Sequence, residues 1–362
     1  MSAQSIDGDS RRTLLAASAY GPRVASVRVR VTHWLDRMAS LGIAANQWTY
    51  ADLANLGPTQ LLRHLAEVAE GERSARRVGD SREETNGTLL LHRELSPLSR
   101  GRLELSALRR FARTVFDFDD SLTEPGRARR LMNGPRKYER IIAACDQVVA
   151  GNEFLAEWAS GFNDAVTIIP SCVDAARYSP KSSFEVRDRP TCVWIGSPTT
   201  EAFLWQILDA LDAVHQRFDL QVRIISGATS ELPPRPYVSR SVWTEETEAH
   251  ELAQADFGIM PLPDNSFTRG KCSYKLLQYG AAGLPCLGSP VGLNETVLRE
   301  FGAMAPSTSA EWVDAMIALI TSDTQERRDA GARSRAAVEA GYTYDRWLLP
   351  WIDAVGLDVR QE

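Results

Sequence analysis

The sequence lacks several features that would assign it to a specialised class of protein. No apolar run approaches the roughly 18–20 residues that a membrane-spanning helix needs. The five cysteines are odd in number and include no C-x-x-C, and the five histidines include no H-E-x-x-H. These absences argue against disulfides and against a metal site. A net charge of −6 does not favour nucleic acid as the partner. We expect a cytoplasmic protein with reduced thiols, and a peripheral membrane contact stays open.

What is present is an alternation of strand and helix patterns along 362 residues. The alternation favours α/β domains with parallel sheets. At about 150 residues per domain, the length predicts two domains. We expect a disordered tail over residues 1–12, a Rossmann-like domain over 13–178, a polar linker with two prolines over 179–190, and a second Rossmann-like domain over 191–338.

The most informative segment is 256–294. It reads as a short apolar strand (Phe257 to Met260), a loop with two prolines, an amphipathic helix, a Gly-Leu-Pro turn and a second apolar strand. Lys271 and Lys275 are four residues apart, which predicts that both point from one helical turn at the same spot. Positive charge at a helix N-terminus is unfavourable unless an anion is bound there. A diphosphate site is therefore favoured over two merely exposed lysines.

A second candidate is the turn from Gly196 to Thr200, which follows a buried strand. Its backbone N–H groups and the hydroxyls of Ser197, Thr199 and Thr200 are suited to phosphate oxygens, but they are equally suited to capping a helix. No Lys or Arg follows closely in the sequence, so Arg269 is expected to add charge to the two lysines. Trp243 follows a later strand, where it could stack on a nucleobase or belong to the core.

In the first half, polar residues follow two strand patterns. The Asp117, Asp119 and Asp120 cluster leaves three alternatives open, which are binding of a substrate hydroxyl or amine, structural capping, and magnesium binding. Asp119 and Asp120 are the preferred pair for substrate binding. His92 and Glu94 end the preceding strand, and His92 is a candidate for contact with a substrate, or a structural residue.

Basic residues form two further features of the first half. Arg28 and Arg30 stand where the first strand's loop enters its helix, where they could bind an anionic substrate or be solvated. Residues 100–140 contain eleven Lys and Arg against six Asp and Glu. This region is either a solvated face or a surface for an anionic partner, such as a lipid headgroup, a phosphorylated substrate or an acidic carrier protein.

The stretch RGKCSYKLLQY, together with VVAGNEFLAEWASGFNDAVTIIPSCVD and WIGSPTT, resembles the retaining family-4-type (group 1) glycosyltransferases of the GT-B fold. The resemblance covers roughly residues 22–350. In that family two glutamates stand eight positions apart, and here those positions hold Gly270 and Gln278. A glutamate accepts hydrogen bonds with a charged group, whereas glutamine offers one neutral carbonyl.

The resemblance implies an acceptor domain, a donor domain and a cleft between them, with a C-terminal helix in 339–362 crossing back to the first domain. Trp347, Leu348, Trp351 and Ile352 are spaced to dock there. It also implies transfer of a sugar from a nucleotide diphosphate sugar, with retention, without a metal and without a cofactor. The implied catalytic residues are Lys271, Lys275 and His92.

The resemblance divides the remaining candidates between donor and acceptor. The implied donor-binding residues are Gly196, Ser197, Thr199, Thr200, Trp243, Arg269, Gly270, Tyr274 and Gln278. The implied acceptor-binding residues are Asp119, Asp120, Arg28, Arg30 and Glu94. The acceptor is a small molecule, natural product, glycan or lipid. Two alternatives remain, a nucleotide-sugar epimerase of the same fold and a non-catalytic GT-B-like binding protein.

Overall fold

The computed structural model describes residues 13–51, 58–80, 85–123, 136–227 and 232–357. The chain divides into two units, Met1–Ile169 with Leu348–Glu362, and Pro170–Trp347. Both boundaries differ from the expected residues 178 and 339, and the region predicted as a linker, 179–190, belongs to the second unit. The predicted tail over 1–12 lies outside the described residues.

The first unit contains a parallel sheet. Its six strands are β1 (Leu14–Tyr20), β2 (Ala45–Ala51), β3 (Thr85–His92), β4 (Phe111–Phe118), β5 (Gln147–Ala150) and β6 (Val166–Ile168). Their order is β2-β1-β3-β4-β5-β6, and all pairs are parallel. The direction of winding reverses between β1 and β3, which is the point where open α/β sheets bind ligands.

Helices connect these strands. They are α1 (Ala25–Val27), α2 (His33–Ser40), α3 (Pro58–Arg63), α4 (Leu65–Asp80), α5 (Arg102–Leu108), α6 (Lys137–Ala144) and α7 (Glu153–Ser160). A π-helical turn, Arg28–Thr32, joins α1 to α2. Gly42, at φ +71°, ends this helical stretch, as predicted from the sequence.

The second unit contains another parallel sheet, of order β9-β8-β7-β10-β11. Its strands are β7 (Thr191–Ile195), β8 (Gln221–Ser226), β9 (Val238–Val242), β10 (Phe257–Met260) and β11 (Cys286–Gly288). The winding reverses between β7 and β10. The predicted fold class, two parallel α/β halves, is confirmed.

The helices of the second unit follow the same alternation. They are α8 (Pro198–Glu201), α9 (Leu208–Phe218), α10 (Glu248–Ala253), α11 (Ser266–Arg269), α12 (Tyr274–Ala281), α13 (Leu293–Phe301), α14 (Ser309–Thr321) and α15 (Thr324–Gly341). Two 3-10 turns, Ala175–Arg177 and Ala202–Ile207, complete the described helical segments. The helical segment that continues from α8 thus becomes α-helical again only at Leu208.

Two layers of side chains bury the second sheet. Val193 and Ile195 belong to one hydrophobic cluster, while Cys192 and Trp194 belong to another. Successive residues of a strand point to opposite faces, so each cluster covers one face of the sheet. Such double burial explains why these strands read as continuous apolar runs.

The last helix, α16 (Tyr344–Val355), begins in the second unit and ends in the first. Within the first unit Trp351 stacks on Trp34, with ring centroids 4.9 Å apart and planes at 6°. Trp347, which the sequence assigned to the same docking surface, belongs to the second unit and donates from Nε1 to the carbonyl of Gly341 at 2.7 Å.

Candidate functional site

In the second unit, two loops follow β7 and β10, the strands between which the winding reverses. They are the turn 196–200 and the segment 261–273. Neighbouring parallel strands end at the same edge of a sheet, so these loops meet there. This edge contains most of the residues that the sequence assigned to the donor.

Lys275 lies directly against Gly196. A Cβ atom added to Gly196 would stand 2.8 Å from Cε of Lys275 and 2.6 Å from the Trp194 ring, which is closer than carbon atoms approach. The ammonium of Lys275 lies 5.3 Å from the centroid of the Trp194 ring, within the range of a cation–π contact. Two residues that the sequence singled out separately are thus brought together, and only glycine fits at 196.

Lys271 is placed differently from the sequence prediction. Helix α12 begins at Tyr274, and Lys271 lies in the turn before it, so the expectation that both lysines share one helical turn is wrong. The cause is Ser273, whose left-handed backbone, φ +53°, interrupts the helix. The Lys271 ammonium lies 4.3 Å from the centroid of the Phe267 ring.

Two interactions fix the turn 270–273. Buried Ser273 donates from Oγ to Asn294 at 2.7 Å. Gly292 stands so close to the Arg269 carbonyl that an added Cβ would meet it at 2.5 Å. The backbone that carries Lys271 is therefore fixed by Gly292, in the loop after β11, and by Asn294, in the first turn of α13.

Arg269 is exposed and forms a bidentate pair with Asp264, at 2.6 Å and 3.0 Å. The carboxylate of Asp264 therefore offsets the charge of Arg269. The sequence had instead predicted that this charge would add to that of the two lysines. Arg240, which the sequence did not single out, reaches from β9 to buried Glu201 at 2.9 Å. Glu201 ends α8, so this pair braces the helix that the 196–200 turn begins.

The hydroxyls of that turn contact one another. Ser197 Oγ lies 3.0 Å from Thr199 Oγ1 and 3.3 Å from Thr200 Oγ1, and Thr200 also donates to the Ser197 carbonyl. All three residues lie at or near the surface. The Ser197 side chain makes no capping bond to the backbone of α8, so the simple capping explanation of this turn is not supported.

Gln278 and Trp243 meet at one carboxylate, that of Glu248. Trp243 Nε1 donates to Glu248 Oε2, and Tyr178 Oη donates to Oε1 at 2.8 Å. Gln278 Nε2 lies 3.3 Å from both Glu248 Oε2 and Tyr178 Oη. We call these four residues the Glu248 cluster. The remaining donor candidate, Tyr274, is half-buried against the core of the same unit.

In the first unit, a polar cluster occupies the edge between β1 and β3. Ser26 Oγ donates to Asp119 Oδ1 at 2.6 Å and lies 2.9 Å from His92 Nε2. Arg93 Nη2 bonds Ser26 at 3.0 Å, Asp119 and, at 2.9 Å, Asp120. Three predicted residues, His92, Asp119 and Asp120, therefore do come together, through Arg93 and Ser26. We call these five residues the Arg93 cluster.

Asp117 lies behind this cluster. It accepts from His92 Nδ1 at 2.8 Å and from both Nε and Nη2 of Arg30. Burial tends to raise the pKa of Asp117, but the Arg30 guanidinium and His92 outweigh burial and hold the pKa below its ordinary value. Burial likewise opposes ionisation of Asp119, and Arg93 overcomes it, so the pKa of Asp119 is also lowered.

Two expected acceptor residues are buried in ion pairs instead. Arg30, 1% exposed, is bound to Asp117 and to the Ile169 carbonyl at 2.6 Å. Glu94, also 1% exposed, accepts from Lys137 at 2.8 Å and from Tyr138 at 3.0 Å. The sequence placed Arg30 at the start of a helix and Glu94 at the end of a strand. It could not show that each side chain pairs with an opposite charge from elsewhere in the chain. Arg28, likewise buried, donates to the Pro22 carbonyl at 3.2 Å.

Fewer basic side chains of the region 100–140 are available at the surface than its composition predicts. Lys137 is buried between Glu94 and Glu104, at 2.8 Å and 3.1 Å. Arg110 donates to the Val78 carbonyl, which also turns its charge inward. Other members lie outside the described residues, namely Arg127, Arg129 and Arg130. An anionic partner for this region stays a prediction.

In the part of the chain that the structure describes, no three His, Cys, Asp or Glu side chains are grouped so as to hold a metal ion. Within the same ranges, no helix has the length and apolarity required to span a membrane.

Each unit has one winding reversal in its sheet and a polar cluster. This arrangement is that of the GT-B-like class of α/β proteins, and solved structures agree. Sucrose-phosphate synthase from Thermosynechococcus elongatus matches over 95% of this chain and 98% of its own, with TM-score 0.70 and 14% identity. WaaG, a glycosyltransferase involved in lipopolysaccharide biosynthesis, matches over 96% and 100%, with TM-score 0.66 and 13% identity. Anabaena HepE, solved with UDP and glucose, matches over 96% and 99%, with TM-score 0.65 and 12% identity. Identities this low show the fold alone.

A family model matches part of the second unit. Residues 189–322 match the model described as Glycosyl transferases group 1. A comparison with curated protein sequences gives no match. The resemblance to group 1 glycosyltransferases stated from the sequence is therefore confirmed over this segment, and the GT-B fold is confirmed by the solved structures.

Proposed function

We propose that this glycosyltransferase transfers a sugar from a nucleotide diphosphate sugar to an acceptor hydroxyl, with retention and without a metal ion. The observation that carries the proposal is the close contact between Lys275 and Gly196 at the edge of the sheet where β7 and β10 end. The family match supports the activity, and the UDP and glucose in the HepE structure support a UDP-sugar as donor.

The second unit supplies the donor chemistry. Breaking the sugar–phosphate bond adds a negative charge to the departing diphosphate, because the electron pair of the bond stays on the phosphate oxygen. Preorganised cations stabilise this added charge more strongly than they stabilise the ground state. Lys275 and Lys271, each held at an aromatic ring, are the residues for this role. The backbone N–H groups of the 196–200 turn add hydrogen bonds to phosphate oxygens. Gln278 holds the ribose.

The first unit supplies the acceptor chemistry through the Arg93 cluster. Arg93 lies on both Asp119 and Asp120, so the carboxylates are already compensated and a cationic amine gains little from them. Hydroxyl groups, which both donate and accept, fit a cluster of alternating donors and acceptors. The acceptor class is therefore a polyol, whether a small molecule, a glycan or the glycan part of a lipid. His92 contacts the acceptor or the transferred sugar.

The first experiment is calorimetric titration of the purified protein with UDP, GDP, dTDP and ADP, with and without EDTA. We expect one nucleotide to bind, unaffected by EDTA, and binding to weaken in Lys275→Ala. Loss of binding in EDTA would instead assign the diphosphate to a metal ion. No binding by any nucleotide would support the non-catalytic alternative.

Product analysis then completes the assignment. The protein is incubated with the matching nucleotide sugar and a panel of polyol acceptors, and the products are resolved by NMR. A new glycosidic bond with the donor's anomeric configuration supports the proposal. An epimerised sugar formed without any acceptor would establish the epimerase alternative.

A further inference from the structure

The donor side of the molecule contains a buried carboxylate where the sequence motif has none. Position 278 is a glutamine, 4% exposed, but Glu248, 6% exposed, lies against it. The two residues are 30 positions apart in sequence and come from different helices, α12 and α10. Glu248 is therefore an addition to the site that the local motif does not contain.

Hydrogen-bond geometry settles which end of the Gln278 amide faces Glu248. An ionised carboxylate only accepts, so the atom opposite it must be the amide nitrogen, which carries two N–H donors. One N–H points to Glu248 Oε2 and the other to Tyr178 Oη, each at 3.3 Å. Both donors are thus used inside the protein, and the carbonyl oxygen lies at the opposite end of the planar amide.

Tyr178 and Trp243 complete the arrangement. Burial raises the pKa of Tyr178 well above its ordinary value, so its hydroxyl keeps the proton that it donates to Glu248. Trp243 Nε1 donates to the same carboxylate. Rotating the Gln278 amide by half a turn would place its oxygen against Glu248 and remove two hydrogen bonds, which makes the observed orientation strongly preferred.

We propose that Glu248 is a positioning residue that turns the Gln278 amide so that position 278 presents only an oxygen acceptor to the donor's ribose hydroxyls. The inference rests on the proposed function, in which the second unit binds a nucleotide diphosphate sugar. The location supports it, because Glu248 begins the helix that follows β9. Trp243, directly after β9, donates its backbone N–H to the carbonyl of Ser226 in β8. The Glu248 cluster therefore stands at the same edge of the sheet as Gly196 and Lys275.

The test compares a ribonucleoside diphosphate with its 2′,3′-dideoxy counterpart, using the base identified by the titration above. The ratio of the two dissociation constants measures recognition of the ribose hydroxyls. Glu248→Gln releases the amide, and we expect the ratio to fall about tenfold, the size of one or two hydrogen bonds. Gln278→Glu places two carboxylates together, and both affinity and the ratio should fall.

The double variant Glu248→Gln/Gln278→Glu exchanges the two groups. The new amide at 248 donates to the new carboxylate at 278, so the ratio should return to within about threefold of the wild-type value. Glu251→Gln is the matched control, because Glu251 lies in the same helix but bonds Ser241. It should leave the ratio unchanged. Thermal unfolding of each variant checks that it is folded, and Tyr178→Phe replaces Glu248→Gln if the latter does not fold.

The outcomes separate the two proposals. If the wild type binds no nucleotide, the proposed function fails. If it binds nucleotides but the ratio is unchanged in a folded Glu248→Gln protein, or the double variant does not recover it, the role of Glu248 fails alone. A lowered ratio that recovers in the double variant supports the inference, since a merely structural role would not move ribose discrimination.

Discussion

The polar clusters of the two units hold their cations in opposite ways. In the first unit, Arg30 and Arg93 lie on carboxylates, so the edge of that sheet is a set of compensated ion pairs. In the second unit, Lys271 and Lys275 lie at aromatic rings. An aromatic face holds a cation in place without cancelling its charge. The comparison teaches that carboxylates surround the arginines of the first unit, as the proposed binding of neutral hydroxyl groups requires, whereas aromatic rings position the two lysines proposed for the diphosphate.

The largest expected effect comes from removing the positive charge at the donor edge. Lys275→Ala should lower kcat by about 10²–10³-fold, the equivalent of about 2.7–4 kcal/mol of transition-state stabilisation. Steady-state kinetics with the donor identified above would measure it. Arg189→Ala is the control, because Arg189 is paired with Asp219 at the surface before β7 begins and should matter little. Full turnover by the Lys275 variant would remove the phosphate role.

The contact between Lys275 and Gly196 gives the second test. Gly196→Ala introduces a Cβ that meets both Lys275 and Trp194, so one of them has to move. We expect donor affinity to fall about tenfold, measured by calorimetry. Gly341→Ala is the matched control, since an added Cβ there meets nothing within 4 Å. Equal affinities in the two variants would mean that the Gly196 contact is incidental.

A change in the first unit should affect only the acceptor. Asp119→Asn removes a charge that Arg93 and Ser26 bind, and it should raise the acceptor KM by about tenfold while leaving nucleotide affinity unchanged. Parallel kinetics and calorimetry would separate the two effects. A fall in nucleotide affinity of the same size would contradict the division of roles between the units. Rescue by added magnesium would revive the metal alternative.

The smallest effect concerns acid stability. Because the pKa of Asp117 is lowered from 3.8 in the folded state, its ionised form stabilises the fold above about pH 3.8, and this contribution is lost as the pH falls further. Thermal unfolding between pH 5 and pH 2 should therefore show a steeper loss for the wild type than for Asp117→Asn. The variant should be less stable at pH 7, since Arg30 then keeps a buried charge without its counter-ion. Parallel curves would contradict this.

The sequence predicted best what depends on local pattern. Strand β10 was placed at its observed bounds, Phe257–Met260, because it is buried on both faces and flanked by turn residues. Strand β2 was missed, because it lies at the edge of its sheet and is only half-buried, so its sequence, ANQWTYA, has no clear apolar pattern. The break at Ser273 was missed because a left-handed serine has no reliable sequence signal.

The polar pairs between distant residues were not predicted from the sequence, although the docking of Trp351 on the first unit was. Arg93 meets Asp119 across 26 positions, and Gln278 meets Glu248 across 30. The sequence showed a charged residue after His92 and a glutamate opening a helix, which are weak signals without knowledge of the partner. Only the strand order, with a reversal in each sheet, decides which loops become neighbours.

The route of α16 has a consequence for how the protein is made. Trp34, near the start of the chain, finds its stacking partner in Trp351, near the end. A ribosome therefore releases the first unit's last structural element only after the whole second unit has been synthesised. The second unit, continuous from Pro170 to Trp347, is the one able to fold while synthesis continues. A fragment truncated at Ile169 would leave the Trp34 ring in water, so the first unit is not expected to be stable as an N-terminal fragment.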